Sequence, residues 1–250
     1  MRFVRALHGD EVFYAVLKED KLLRLHGTPF ETIDYDGREY SLSTVTLLYP
    51  SEPTKFVCVG KNYYEHAEEM KEGHPVEPLL FLKPSTCAVG NGDDVIYPTI
   101  SNRLDYEGEL AVVIGKRAHA VEIGHAKEYI FGYTCANDVT ARDIQKSDPQ
   151  WTRGKGYDTF CPFGPWIETE LDAQNVNIAT RVNGVTKQNS NTSMMTYDID
   201  ALISYMSACM TLLPGDVVLT GTPGGIGSMQ RGDTVEVEIA GIGVLRNRIV

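Results

Sequence analysis

RLDYEGELAVVIG, residues 103–115, decides how this chain is read. From Leu104 to Ile114 the run is rich in aliphatic and aromatic residues, the composition of a buried β-strand. Side chains alternate between the faces of a strand, so Glu107 and Glu109 share one face, and Ala111 and Val113 carry it on. Two carboxylates on a face that turns apolar one step later need positive charge beside them. Without it, buried like charges force a proton onto one of the pair.

Working outward, YIFGYTCAND (129–138) is the next strong strand and ends on Asp138. If the two strands are neighbours, Glu107, Glu109 and Asp138 converge as an oxygen-only set without His or Cys. Such a set suits a hard divalent cation, Mg2+ or Mn2+ rather than zinc. The competing reading puts the glutamates at a solvated sheet end, paired with Arg103 or Arg142.

The flanks set the frame. MRFVRALHGDEVFYAVLKEDKLLRL alternates polar and apolar and reads as strands broken at His8–Asp10 and Lys18–Lys21, with another hairpin expected around Asp36-Gly37. YPSEP (49–53) marks a boundary, giving a small β appendage over 1–50 and a second domain over 51–250. FVCVG and PLLFLKP read as buried strands, VTARDIQKS as a helix start with Thr140 and Asp143 in capping-box spacing, and WTRGKGYDTFCPFGP as irregular. DIDALISYMSACMTL (198–212) is the one longer helix, capped by Asp198, and GDTVEVEIAGIGVLRNRI closes the chain as a hairpin. The mix is β-dominated α+β, unlike the regular alternation of strands with long helices in Rossmann folds or barrels.

Composition narrows the function. A formal net charge of -11 argues against nucleic acid, no apolar run reaches membrane-spanning length, and no N-terminal signal is visible. The five cysteines are scattered without a C-x-x-C pair and read as buried thiols of a cytoplasmic protein.

Three further clusters carry chemistry. In GKNYYEHAEEM, His66 and Glu69 share a helical face, where a carboxylate orients an imidazole as general base; the bland alternative is a solvated acidic helix. The longer stretch GKNYYEHAEEMKEGHPVEP (60–78), polar and glycine-bounded, also reads as a lid. Lys61, Lys83, Arg142 and Lys155 gather cations around the acidic set and suit an anionic, carboxylate-bearing substrate. Glycines flanking Lys155 favour close approach to a ligand. TGTPGGIG (220–227) lacks the Lys-Ser/Thr of a P-loop and equally suits a tight turn whose N–H groups and Thr222 hydroxyl touch a carboxylate.

Taken in order, VGKNYYEHAEEM, FLKPST, LDYEGELAVVIG, GYTCANDVTARDIQ, RGKGYDTFCPFGP, RVNGVTKQNSNTSMM and PGDVVLTGTPGGIG resemble the fumarylacetoacetate hydrolase family. The resemblance implies a β-roll or β-sandwich catalytic domain, usually in a homodimer. It implies a metal on Glu107, Glu109 and Asp138, a His66–Glu69 dyad, the loop lysine Lys155, and substrate contacts from Gln145 and Thr222. The substrate implied is a small 2-oxo acid whose enolate the cation stabilises. The outcomes are acylpyruvate-type C–C hydrolysis, 2-hydroxyhepta-2,4-diene-1,7-dioate isomerisation or oxaloacetate decarboxylation. The first 50 residues are much shorter than the matching domain of true fumarylacetoacetases, which argues against that substrate. Rival readings are a non-catalytic metal- or metabolite-binding module and a nucleotide-binding protein using TGTPGGIG.

Overall fold

The computed structural model describes residues 1–65 and 75–250. Four strands, Arg2–His8, Glu11–Lys18, Lys21–Leu25 and Tyr35–Ser41, pair in succession as an antiparallel meander. Its inward residues, among them Val4, Ala6, Phe13 and Leu22, form a small core. The hairpin expected at Asp36-Gly37 is absent. Tyr35–Ser41 is one strand, and Gly37, at φ 83°, lies where the register slips against Leu23 and Leu25, as a bulge requires. Arg2 and Phe3 pair with Glu168 and Ile167 of the Cys161–Glu168 strand, so the meander and the rest of the chain share one sheet.

In that sheet Gly108–Ile114 runs between Ile130–Asn137 and Val217–Leu219, followed by Phe56–Gly60 and the edge strand Leu79–Lys83. All seven residues of Gly108–Ile114 are buried. Leu110, Val112 and Ile114 face the Ile199–Cys209 helix and a second sheet built on Asn177–Val182, Val185–Asn191, Thr234–Ile239 and Gly243–Ile249. Ala111 and Val113 face the other way, into a core with Phe56, Cys58 and Phe163. Two sheets packed across one strand in this way make a β-sandwich. Asp198 caps the long helix as expected, accepting from the Ala201 N–H at 2.8 Å.

The opening strand is broken rather than continuous. Leu104–Tyr106 leaves to pair with Thr140–Ala141 and Gly227–Met229, and Glu107 stands at the break. Gly108 explains the close packing beside it, since a Cβ there would lie 2.0 Å from Thr180 Oγ1 of the second sheet. The Thr140–Asp143 capping box does not form. The Thr140 hydroxyl donates to the Asp138 carbonyl at 2.9 Å, and Asp143 accepts from Ser101 Oγ and the Asn102 N–H. The stretch expected to be irregular contains a one-turn helix, Thr152–Lys155. Four of the five free cysteines are buried and Cys209 is exposed; burial pushes the Cys135 thiol up to about 12. No helix among the described residues is long and apolar enough to cross a membrane.

Candidate active site

A cavity of about 250 Å³ opens over the break at Glu107. Strand alternation turns Glu107 and Glu109 to the same side, and the pairing of Gly108 with Asn137 brings Asp138 alongside them. The Asp138 N–H donates to the Glu107 carbonyl at 2.8 Å, which fixes that meeting. One oxygen from each of the three carboxylates lies within 4.8 Å of the others, and each residue is less than 5% exposed.

Cations alternate with these acids. Lys155 Nζ donates to Glu107 Oε2 at 2.8 Å and to Asp138 Oδ2 at 2.5 Å. Lys83 Nζ, wholly buried, donates to Asp138 Oδ1. Arg142 donates from Nη2 to Glu107, from Nη1 to Gln145 Oε1 at 2.6 Å and from Nε to Asp105 at 2.9 Å. Asp105 in turn accepts from the half-exposed Arg103. Burial opposes the charges on Lys83 and Arg142, but their carboxylate partners outweigh it and leave both pKa values raised. Glu107 does pair with Arg142, as the solvated-edge reading had it, but inside the protein rather than at a wet sheet end.

Glu109 differs from its neighbours. Among the described residues, its carboxylate Oε2 accepts the Gly221 N–H at 2.7 Å. Burial first, then the Asp138 and Glu107 charges, hold its carboxyl well above the usual carboxylate range; Lys155 and Gly221 offset this only in part. The three carboxylates therefore lack positive charge at Glu109, and an all-oxygen set of this kind fits a hard divalent cation.

Two cations are delivered by short helices in close contact. Gly154 packs against Gln145, where a Cβ would lie 2.7 Å from its Cα, and this seats Thr152–Lys155 on Arg142–Ser147. A Cβ at Gly156 would meet the Thr152 carbonyl at 2.6 Å. The glycines around Lys155 thus serve chain packing rather than approach to a ligand.

Arg142, Gln145, Lys155, Lys61 and Thr222 line the cavity with the three carboxylates. Lys83 does not; it lies beneath Asp138, also reaching the Val139 carbonyl at 3.2 Å, so it supports a carboxylate instead of meeting a ligand. The Thr222 hydroxyl donates to the Gly108 carbonyl at 2.8 Å and accepts from Gln188 Nε2 at 2.7 Å. The TGTP loop thus turns the Gly221 N–H toward a protein carboxylate. His66 and Glu69, with residues 66–74 of the lid expected over 60–78, lie outside the described residues.

Three supporting residues escape a reading of the sequence. Gln188 accepts the Gly108 N–H at 3.0 Å and donates to Thr222 and the Pro223 carbonyl, clamping the peptide between the two glutamates. Asn62 ties the turn after Gly60 to the Tyr197 and Thr220 carbonyls. Asp105 holds Arg142. Period-two counting extended two residues back from Glu107 would have included Asp105, whereas no local signal marks Gln188 or Asn62.

A profile described as fumarylacetoacetate (FAA) hydrolase C-terminal matches residues 55–250, and one described as Rv2993c-like, N-terminal matches residues 1–50. Protein Rv2993c of Mycobacterium tuberculosis is 49% identical over 225 residues, covering 89% of this chain and 85% of its own. The Bos taurus protein named oxaloacetate tautomerase FAHD2A, mitochondrial, is 43% identical over 221 residues, 83% of this chain and 70% of its own. The solved structure of 5-carboxymethyl-2-hydroxymuconate delta-isomerase from Mycobacterium smegmatis is 43% identical, covers 100% of this chain and 99% of its own, and superposes with a TM-score of 0.95. With 196 of its 250 residues matched by the first profile (55 to 250 inclusive), the chain belongs to the fumarylacetoacetate hydrolase family.

Proposed function

We propose that the protein is a divalent-metal-dependent enzyme that moves a proton on a small 2-oxo dicarboxylic acid, interconverting keto and enol or shifting a conjugated double bond. The observation that carries this reading is the buried trio of Glu107, Glu109 and Asp138 at the bottom of a small cavity also lined by Arg142 and Lys155. Relatives named for oxaloacetate tautomerisation and 5-carboxymethyl-2-hydroxymuconate isomerisation favour proton transfer over C–C hydrolysis.

In this proposal Glu107, Glu109 and Asp138 hold Mg2+ or Mn2+. A cation there supplies Lewis acidity, drawing negative charge onto the oxygens of a bound 2-oxo acid. Lys155 places its ammonium beside those oxygens and opposes the charge that builds up as a proton leaves carbon. Arg142 orients Glu107, and Lys83 orients Asp138 from beneath. Gln145, its oxygen taken by Arg142, turns its remaining amide donors to substrate. His66 with Glu69 is the proton-carrying pair on sequence grounds, the homodimer rests on the family resemblance, and the cytoplasmic setting rests on the scattered, unpaired cysteines. The cavity is smaller than the roughly 300–1,000 Å³ of drug-sized sites, in keeping with a compact substrate.

The test is to incubate the protein with Mg2+, against a chelator control, and follow oxaloacetate enol–keto exchange and 5-carboxymethyl-2-hydroxymuconate isomerisation by absorbance and NMR. Metal-dependent turnover of at least one, abolished by Glu109→Gln, is expected. Turnover of neither overturns the reading, and carbon dioxide or a C–C cleavage product as the main outcome replaces it with decarboxylation or hydrolysis.

A further inference from the structure

The cavity has a charged floor and an apolar wall. Glu107, Glu109, Asp138, Arg142 and Lys155 form the floor, each less than 5% exposed. Beside it stand Val59, Gly60, Phe81 and Trp151, which line the same space. None of the steps proposed for the floor uses this wall.

We propose that Trp151 determines which 2-oxo acids the protein takes, by lying along the carbons beyond the 2-oxo end, and that Gly60 lets the indole stand back far enough to do so. The inference rests on reading the floor as the seat of the 2-oxo acid end. Order along the wall is the first argument. Lys155 Nζ, held on the floor by Glu107 and Asp138, lies 5.0 Å from the centre of the Phe81 ring. Phe81 in turn meets Trp151 edge-on, with ring centres 5.3 Å apart. The wall therefore starts at the ammonium and leads away from it. Carbons attached to an acid seated beside Lys155 meet Phe81 and then the indole. Both rings are half-buried, so each methylene laid against them is withdrawn from water.

Fit against Gly60 is the second argument. A Cβ there would lie 2.8 Å from Trp151 Cζ3 and 3.0 Å from Cη2, so the indole occupies the space that a side chain at 60 would fill. A methyl group at that position displaces the ring from its seat in the wall. The mount is the third. The Trp151 carbonyl accepts the Lys155 N–H at 2.9 Å across the one-turn helix Thr152–Lys155, and Gly154 of that turn packs on Gln145. Indole and ammonium thus ride on one anchored turn. The group that reads the carbon chain is fixed relative to the group that meets the acid end.

The experiment is calorimetric titration of the Mg2+-loaded protein with pyruvate and with 2-oxopentanoate, which share the 2-oxo acid end and differ by two methylenes. Wild type is expected to bind 2-oxopentanoate about fivefold more tightly or better. Trp151→Ala should lose that preference and Gly60→Ala should lower it, whereas Gly60→Ala added to Trp151→Ala should change it no further. A preference that survives in Trp151→Ala, is missing in wild type, or falls equally on Gly60→Ala with and without the indole overturns the wall. A second measurement leaves the wall intact. Trp166→Phe makes Trp151 the sole tryptophan of the chain, and saturating 2-oxopentanoate should shield it from iodide quenching more than saturating pyruvate does. Equal shielding overturns the wall as well. Binding of neither acid overturns the wall and the reading of the floor together. A Trp151-dependent preference in a protein that turns over nothing leaves the wall standing and removes only the proposed reaction.

Discussion

The N-terminal meander and the carboxylate floor both carry ion pairs, in opposite surroundings. In the meander Lys21 and Glu39 meet at 3.1 Å with both side chains more than half exposed, over a strand set whose apolar residues point inward. Such pairs contribute about 0–1 kcal/mol, and the strands pair with or without them. On the floor Lys83 and Asp138 meet with side chains at most 1% exposed, within an alternating series that runs on through Lys155, Glu107, Arg142 and Asp105 to Arg103. Desolvating that many charges is expensive, and apolar residues would pack there more cheaply. The meander shows charge serving solubility; the floor shows stability given up for an ordered set of acids.

The sharpest way to break this contrast is Asp138→Ala against Lys21→Ala. The first strands Lys83 and Lys155 without their shared carboxylate and should cost about 3–5 kcal/mol in urea unfolding, while the second should cost less than about 1 kcal/mol. Equal losses would mean the floor is wetter than its burial implies.

Metal linkage comes next. Mg2+ at a hundred times its dissociation constant should stabilise wild type by about 2.7 kcal/mol, read as a rise in melting temperature. Glu109→Gln should remove that gain and leave the metal-free melting temperature nearly unchanged, since burial already favours the neutral form of this side chain. Gln188→Ala frees the Gly108 N–H and the Thr222 hydroxyl from a buried partner and should cost about 1–3 kcal/mol. It should also weaken Mg2+ binding, which a purely structural loss elsewhere in the sandwich would not do.

The smallest effect belongs to the meander and to pH. The hydrogen bond from Arg24 is the largest influence holding the Glu11 carboxyl below its ordinary value of 4.5. A depressed carboxylate stabilises the fold above its unfolded value and loses that contribution as pH falls through the folded one. Thermal melts of wild type and Glu11→Gln should therefore differ slightly at neutral pH and converge in strong acid. A gap that widens on acidification would reverse the assignment.

Much of this contrast is legible in the sequence, and the parts that are not share a cause. Alternation alone places Glu107 and Glu109 on one face, Asp198 announces its helix, and the early hairpins follow from turn residues between apolar runs. Thr140, read as a cap that would accept a backbone N–H, instead donates to the Asp138 carbonyl two residues back and toward Glu107, which the fold brings near. Asp36-Gly37 has the composition of a turn, but the facing strand turns it into a bulge. Gln188 is a polar residue in a mostly exposed strand until Gly108 arrives beside it from 80 residues away. Local chemistry writes the strands and the acids; long-range contact decides which polar groups support them.

Gly108 ties the buried carboxylate trio to the architecture in a way that limits how either can change. It separates the two glutamates, and its missing side chain is what lets Thr180 of the opposite sheet sit so near. Any wedge between the sheets, whether a larger residue at 108 or a swollen core, moves the peptide on which both acids are mounted. Spacing of the acids and closure of the sandwich are therefore one adjustable quantity. Mild denaturant or a destabilising change far out in either sheet should blunt ligand binding before it unfolds the chain.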